Sequence, residues 1–170
     1  MPLNSAEISV RFKADQSGAN DLGPPRFMAA LEKIVQFTNG VLASQANLLF
    51  ADTRQIAASG TDDIDLAGVL TDAFGAVITA AEIVGVVIVA KATNVNDLVV
   101  GNHATAAWFG MFGAAAHTTK VRPGGVLCNF APDASGLGAV TAATADMLRI
   151  VNGGAGSVVD YDIVILARNA

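Results

Sequence analysis

The sequence predicts a mainly β protein, an antiparallel β-sandwich preceded by one N-terminal α-helix. The main observation is a series of short runs rich in Val, Ile, Thr and aromatic residues, separated by turn sequences such as "SGTDD", "RPGG" and "PDASGLG". A spacing of roughly 8–12 residues between such runs is typical of sandwiches and barrels. The chain has 170 residues, which suits one compact domain able to bury most of its apolar surface.

The N-terminal part is expected to differ from the rest. Glu7–Ala14 can form a first strand or an extended arm, and Asp15–Pro25 is a loop by composition. The prolines that end this loop suit the first turn of a helix, and "TNG" suits its end. The helix is predicted from apolar residues at helical spacing, which are Phe27, Ala30, Leu31, Ile34 and Val35. Residues 1–45 are thus expected to be an arm or strand plus a helix, and residues 46–170 the sandwich.

Nine later runs are predicted to be strands. They lie at Ala46–Ala57, Asp62–Leu66, Ala76–Thr79, Ile83–Ala90, Asp97–Val100, Thr118–Val121, Val126–Phe130, Met147–Val151 and Val158–Ala167. Ile83–Ala90 is apolar at both alternating positions, so both of its faces are expected to be covered. The longer segment Ala73–Ala90 is nearly all apolar, but Glu82 at its middle and its Val, Ile and Gly content favour a strand over a membrane-spanning helix.

Charge and composition narrow the function classes. Hydrophobic residues make up 52% of the chain and charged residues 15%, below the roughly 25% usual in soluble domains. Much of the surface must therefore be neutral, which suits burial in an assembly. The ten basic residues are scattered, so we expect neither nucleic acid nor an anionic membrane as a partner. Cys128 is the single cysteine, and the N-terminus lacks the features of a secretion signal, which fits folding in a reducing cytoplasm.

The stretch "IVNGGAGSVVDYDIVIL" joins two strand-like runs through glycines. A dinucleotide-binding loop would need a glycine where Val159 stands and a helix after it, and a phosphate loop would need a lysine nearby. We therefore expect a β-hairpin in which Val151 pairs with Val158 and Arg149 faces Asp160. This register sorts the apolar side chains onto one face and the charged pair onto the other.

Few titratable side chains have the spacing that is typical of catalytic or metal-binding groups. Asp62, Asp63 and Asp65 could offer oxygens to a hard cation, but their alternation with Ile and Leu is typical of a half-exposed strand with a solvated face. His103 and His117 have no second ligand at metal spacing. The lone cysteine lies among strand residues, where cysteine is usually a small buried hydrophobe, and a Cys–His pair has no local signature. We expect no catalytic residue, no metal and no cofactor, and so no enzyme.

The segment "AAWFGMFGAAA" concentrates large apolar side chains. Trp108, Phe109, Met111 and Phe112 occupy four of five consecutive positions. They can pack in the core, or they can anchor a contact with another subunit or partner, because the centres of interfaces favour Trp, Phe and Met. A carbohydrate-stacking platform is a third reading. Further along the chain, "VRPGG" predicts a type II turn with Gly124 at the position of positive φ.

Three stretches carry a resemblance to a known group of proteins. "RPGG", "APDASG" and "NGGAGS…YDIVI", within roughly Asp62–Ala167, resemble small proteins encoded in the structural gene clusters of tailed bacteriophages. The resemblance implies a virion component, such as a capsid decoration (cement) protein with a jelly-roll-like sandwich. It implies no catalytic residue, and it does not extend to Met1–Ala58.

The function expected from these observations is structural. Copies of the chain would bind one another and the major capsid protein, or another virion protein, through non-covalent contacts multiplied by symmetry. Related alternatives are a head-fibre base, a tail tube or a baseplate component. A different class is a receptor-binding or glycan-binding β-sandwich module, which would show a polar pocket bearing aromatic side chains.

Overall fold

The structure is a computed structural model that describes residues 3–169. Within that range it contains twelve β-strands and no helix, so the mainly β prediction is confirmed. The strands are β1 (Ser5–Ser17), β2 (Arg26–Asn39), β3 (Gln45–Ala46), β4 (Leu48–Ile56), β5 (Thr61–Asp65), β6 (Glu82–Ala90), β7 (Leu98–Gly101), β8 (Thr118–Val121), β9 (Val126–Phe130), β10 (Gly138–Ala139), β11 (Met147–Asn152) and β12 (Val159–Arg168).

The strands form three sheets. One has the order β1-β2-β3, the second has the order β10-β6-β12-β4 with β9 also paired to β6, and the third has the order β5-β11-β7-β8. The pairings are antiparallel except for the short parallel contact between β2 and β3. The second and third sheets form the body of the molecule, and β1 and β2 form an arm attached to it.

The two body sheets bury one common core. Alternating residues of β6 and β12 enter it from the five-stranded sheet, and alternating residues of β7 and β11 enter it from the four-stranded sheet. Its fully buried members include Ile88, Tyr161, Ile163, Leu98, Leu148 and Ile150. Burial of each such side chain contributes about 1.5–3 kcal/mol. This shared core holds the two sheets against each other.

The predicted N-terminal helix is wrong, because its residues form β2. Each residue from Arg26 to Thr38 pairs with one from Ser5 to Ser17 in a continuous antiparallel register. The run also contains apolar residues at five of the six odd-numbered positions from 27 to 37, which are Phe27, Ala29, Leu31, Val35 and Phe37. Helical spacing and strand alternation were both present in this sequence, and the backbone hydrogen-bond partners supplied by β1 decide between them.

The later strand predictions are confirmed in eight of the nine runs, and Ala76–Thr79 is the exception. That segment is a loop that makes an isolated bridge from Val77 to Thr71. The turn in "VRPGG" also has its expected form, with φ of 75° at Gly124 and a hydrogen bond from the Gly125 amide to the Arg122 carbonyl. Within residues 3–169 no helix is long and apolar enough to cross a membrane.

The predicted hairpin between the last two long strands is wrong. β11 lies in the four-stranded sheet, where Arg149 pairs with Asp63. β12 lies in the five-stranded sheet, where Asp160 pairs with Gln55. The glycine loop between β11 and β12 therefore crosses from one sheet to the other. Alternation of polar and apolar residues shows only that Arg149 and Asp160 each lie on the polar face of their own strand. It does not identify the strand that pairs with each of them.

Candidate functional site

The arm has one apolar face, set by its register. Even-numbered residues of β1 share this face with odd-numbered residues of β2. Near the body, Ala6, Ile8, Val35 and Phe37 pack against side chains of the five-stranded sheet. The contacted side chains are Val84, Phe130 and Leu166 of that sheet, together with Ala46 of β3. This second, smaller core attaches the base of the arm to the body.

The outer half of the same face has no cover within residues 3–169. We call it the distal apolar face. Its large apolar residues are Val10, Phe12, Phe27 and Leu31, and Lys33 lies on the same face opposite Val10. Phe27 is 66% exposed and Leu31 is 67% exposed. On the opposite face of the arm, Met28 is also largely exposed. A group of neighbouring exposed apolar side chains such as this is typical of a surface that contacts another molecule.

Beside the arm, the outer face of the five-stranded sheet is also apolar. Cys128, Val87, Val164 and Ala51 lie directly opposite one another on β9, β6, β12 and β4. Together with the inner part of β1, Cys128, Val87 and Val164 border a groove of about 700 Å3, which Val126 and Leu49 also line. We call this groove the sheet groove. The arm and the sheet groove thus form one continuous apolar region.

A buried arginine ties the arm base to the body. Arg168, at the end of β12, is 1% exposed. Its guanidinium donates to Glu82 Oε1 at 2.8 Å and to the carbonyl oxygens of Gln45, Asp133 and Ala134 at 2.9, 2.8 and 3.1 Å. Because Gln45 belongs to β3, which pairs with β2, this one side chain joins the arm sheet, the five-stranded sheet and the loop after β9.

Charged side chains on the polar face of the arm pair across its two strands. Arg26 Nε donates to Asp15 Oδ1 at 2.7 Å near the arm tip, and this hydrogen bond lowers the pKa of Asp15. Arg11 stands opposite Glu32 in the register. Such exposed pairs contribute little to stability. Because these charged side chains lie on the polar face, water solvates the opposite, apolar face of the arm less well.

The four residues predicted as interface candidates differ in how deeply the structure buries them. Trp108 is 1% exposed and lies in the main core, so it is not available for contact with a partner. Met111 and Phe112 are partly buried against that core, whereas Phe109 is exposed. An interface role for Phe109, Met111 and Phe112 stays a prediction.

The three aspartates of β5 are held by different partners. Asp62 accepts hydrogen bonds from Arg54 Nε at 2.6 Å and from the Tyr161 hydroxyl at 2.7 Å. Burial opposes ionisation of Asp62, but these two donors outweigh it and its pKa is lowered. Burial, followed by the hydrogen bond to Asp62, raises the pKa of Tyr161 well above its usual value. Asp65 accepts from the Ala67 backbone amide at 2.8 Å.

Asp63 is the partner of Arg149. Arg149 Nε and Nη2 donate to the two oxygens of Asp63 at 2.6 and 2.8 Å, and this pairing lowers the pKa of Asp63. His103 Nε2 lies 3.8 Å from the same carboxylate. Residues 3–169 contain no group of three or more His, Cys, Asp or Glu side chains arranged to hold a metal ion. Asp62 thus joins β5 to β4 and β12 of the five-stranded sheet, Asp63 joins β5 to β11, and Asp65 accepts within the turn after β5.

The glycine loop uses its own polar groups internally. Asn152 is buried, and its amide donates to the carbonyl oxygens of Ala57 and Ser157 at 3.0 and 2.8 Å. Its Oδ1 accepts from Asn96 Nδ2 at 2.9 Å and from the Gly154 amide at 3.2 Å. A Cβ on Gly154 would lie 2.4 Å from Asn96 Oδ1, so a larger residue there would have to displace the Asn96 side chain. This loop is a structural crossover built around one buried asparagine.

Sequence reasoning did not predict a two-stranded arm, because it assigned β2 to a helix. The signal was present in "RFMAALEKIVQF", where apolar residues fall mainly at odd-numbered positions, as on one face of a strand. Cys128, read from the sequence as a buried hydrophobe, is exposed at the sheet groove, although partial burial raises its pKa.

Comparison of the chain with protein-family models, curated proteins and solved structures finds no match. Its function is therefore inferred from the geometry of the arm, the sheet groove and the exposed loops.

Proposed function

We propose that this protein is a bacteriophage virion structural protein, a capsid decoration (cement) protein that stabilises the head shell through non-covalent contacts. The observation that carries the proposal is the arm, whose distal apolar face is built by the fold and has no partner within residues 3–169. A surface of this kind supports a role in assembly. The resemblance of "RPGG", "APDASG" and "NGGAGS…YDIVI" to phage structural proteins directs the proposal to the virion.

Two further features support a place within a lattice. Charged residues make up only 15% of the chain, so much of its surface loses little hydration when it is covered. Exposed Phe109, with Met111 and Phe112 behind it, offers a second apolar contact for the major capsid protein. The proposal includes a jelly-roll-like arrangement of the body, supported by two mainly antiparallel sheets on one core.

The test uses particles of a tailed phage whose genome encodes this chain. Mass spectrometry of purified particles, followed by cryo-electron microscopy, is expected to find the chain at symmetry positions on the head. Particles assembled with Phe109→Asp should lose most of their bound copies, whereas Val95→Asp, another change at an exposed apolar side chain, should retain them. Particles that lack the chain altogether would contradict the proposal.

A further inference from the structure

We infer that the arm of one copy of this protein docks, through its distal apolar face, in the sheet groove of a second copy. The inference concerns the isolated protein and does not depend on a virion role. The distal apolar face and the sheet groove are the two apolar surfaces involved, and every copy carries both.

The stability of the arm argues that it needs cover. The arm pairs thirteen residues of β1 with thirteen of β2, but only its base packs against the body. An isolated two-stranded hairpin is marginally stable in water, and hairpins gain stability when one face is covered. Between Arg26 and Phe37, the other edge of β2 also has no strand partner within residues 3–169. The outer half of the arm is therefore the part of the structure that gains most from a partner.

The available area matches that of a stable pair. The exposed parts of Val10, Phe12, Phe27 and Leu31 amount to roughly 500 Å2, given that an aromatic side chain buries about 150–250 Å2. The sheet groove adds an apolar area on the order of 150 Å2, so each copy offers about 650 Å2 and a symmetric pair buries about 1,300 Å2, the lower end of the range for stable interfaces. A contact in which each copy gives an arm and receives one uses both surfaces and closes by symmetry.

Charge favours a copy of this chain as the occupant. Residues 1–39 carry four basic and four acidic side chains, whereas residues 40–170 carry six basic and eleven acidic ones. Two acidic bodies would repel each other if they met directly. A neutral arm placed on an acidic body avoids that repulsion, and Lys33, which shares the docking face of the arm, would face that acidic body. Arm-to-groove contact is therefore favoured over body-to-body contact.

The experiment measures the mass of the purified protein in solution over a range of concentrations by light scattering. The wild-type chain, of 17.3 kDa, is expected to associate. Leu31→Asp on the distal apolar face, and Val126→Asp in the sheet groove, should each weaken association at least about thirtyfold, as the loss of an interface hot spot does. Both residues are exposed in the single chain, so both variants should fold. Ala30→Asp is the matched control, because Ala30 lies next to Leu31 on the opposite face of the arm.

Mixing the two defective variants tests the geometry. The Val126→Asp chain keeps a normal arm and the Leu31→Asp chain keeps a normal groove, so an equal mixture should recover a two-chain species that neither forms alone. Arm-to-arm or groove-to-groove contact predicts no recovery. Modification of Cys128 by a thiol reagent should also be slower in the associated wild-type protein than in Leu31→Asp. A wild-type protein that stays monomeric, a mixture without recovery, or an equal effect of Ala30→Asp would overturn the inference.

Discussion

Arg168 donates a hydrogen bond from Nη1 to Oε1 of Glu82 at 2.8 Å, across the paired ends of β12 and β6. The remaining donors of the same guanidinium reach backbone carbonyls of β3 and of the loop after β9. A buried charge is stable only when its hydrogen bonds are all made. The arm thus joins the body at a point where apolar packing and a satisfied buried charge act together.

Replacement of this arginine should destabilise the protein strongly. Arg168→Met removes the hydrogen bonds to three carbonyl oxygens and leaves Glu82 without its partner, so we expect a loss of about 3–5 kcal/mol in the free energy of unfolding. Denaturant titration followed by fluorescence of Trp108, the only tryptophan, measures it. The control is Arg122→Met, because Arg122 is 79% exposed and pairs with Asp97 at 3.3 Å. That variant should lose less than about 1 kcal/mol in the free energy of unfolding. Similar losses in the two variants would show that Arg168 is not a buried link between the arm and the body.

Tyr161 should resist ionisation at alkaline pH. It is the only tyrosine in the chain, so phenolate absorbance reports its state alone. Burial and the hydrogen bond to Asp62 raise its pKa above the usual value of 10.0. The folded protein therefore keeps the proton while the unfolded chain releases it, and the stability this provides is complete below pH 10 and falls as the pH rises beyond 10.

The expected result is that phenolate absorbance appears together with unfolding rather than before it. Asp62→Asn, which removes the charge beside the hydroxyl, should allow the phenolate to form at lower pH. A normal titration near pH 10 in a protein that remains folded, as judged by circular dichroism, would show that the hydroxyl is not buried against Asp62.

Asn152 should be essential to the crossover between the sheets. Asn152→Ala removes the hydrogen bonds to the carbonyl groups of Ala57 and Ser157 and the acceptor for Asn96, so we expect a loss of about 1–3 kcal/mol in the free energy of unfolding. Thermal unfolding by calorimetry gives the value. Asn20→Ala, in the exposed turn of the arm, is the control and should change stability by less than about 0.5 kcal/mol.

The two ends of the arm should respond very differently to loss of an aromatic side chain. Phe37 is fully buried at the base and Phe12 is exposed in the outer half. Phe37→Ala should cost about 3–5 kcal/mol, measured by denaturant titration, and should speed hydrogen exchange of β1 and β2 near the body. Phe12→Ala should leave monomer stability nearly unchanged. Equal costs would mean that the outer half of the arm packs on its own body.

The arm also shows how far sequence reasoning reaches. Eight later strands lie where alternation and turn residues predicted them, because those signals are local. In β2, Phe27, Leu31 and Val35 satisfy helical and strand periodicity together, and only pairing with β1 separates the two. The interface candidates divide for a related reason, since Trp108 and Phe109 are neighbours in sequence but point to the core and to solvent.

The sequence by itself determined that the chain is mainly β, where most of its strands lie and how few charges its surface carries. Those properties depend on residue type and short-range pattern. The tertiary structure decided that residues 26–39 are a strand, that Arg149 pairs with Asp63 rather than Asp160, and that the arm leaves an apolar face uncovered. Each of these depends on which segments meet across many residues, because strand pairing uses backbone hydrogen bonds that no local pattern encodes.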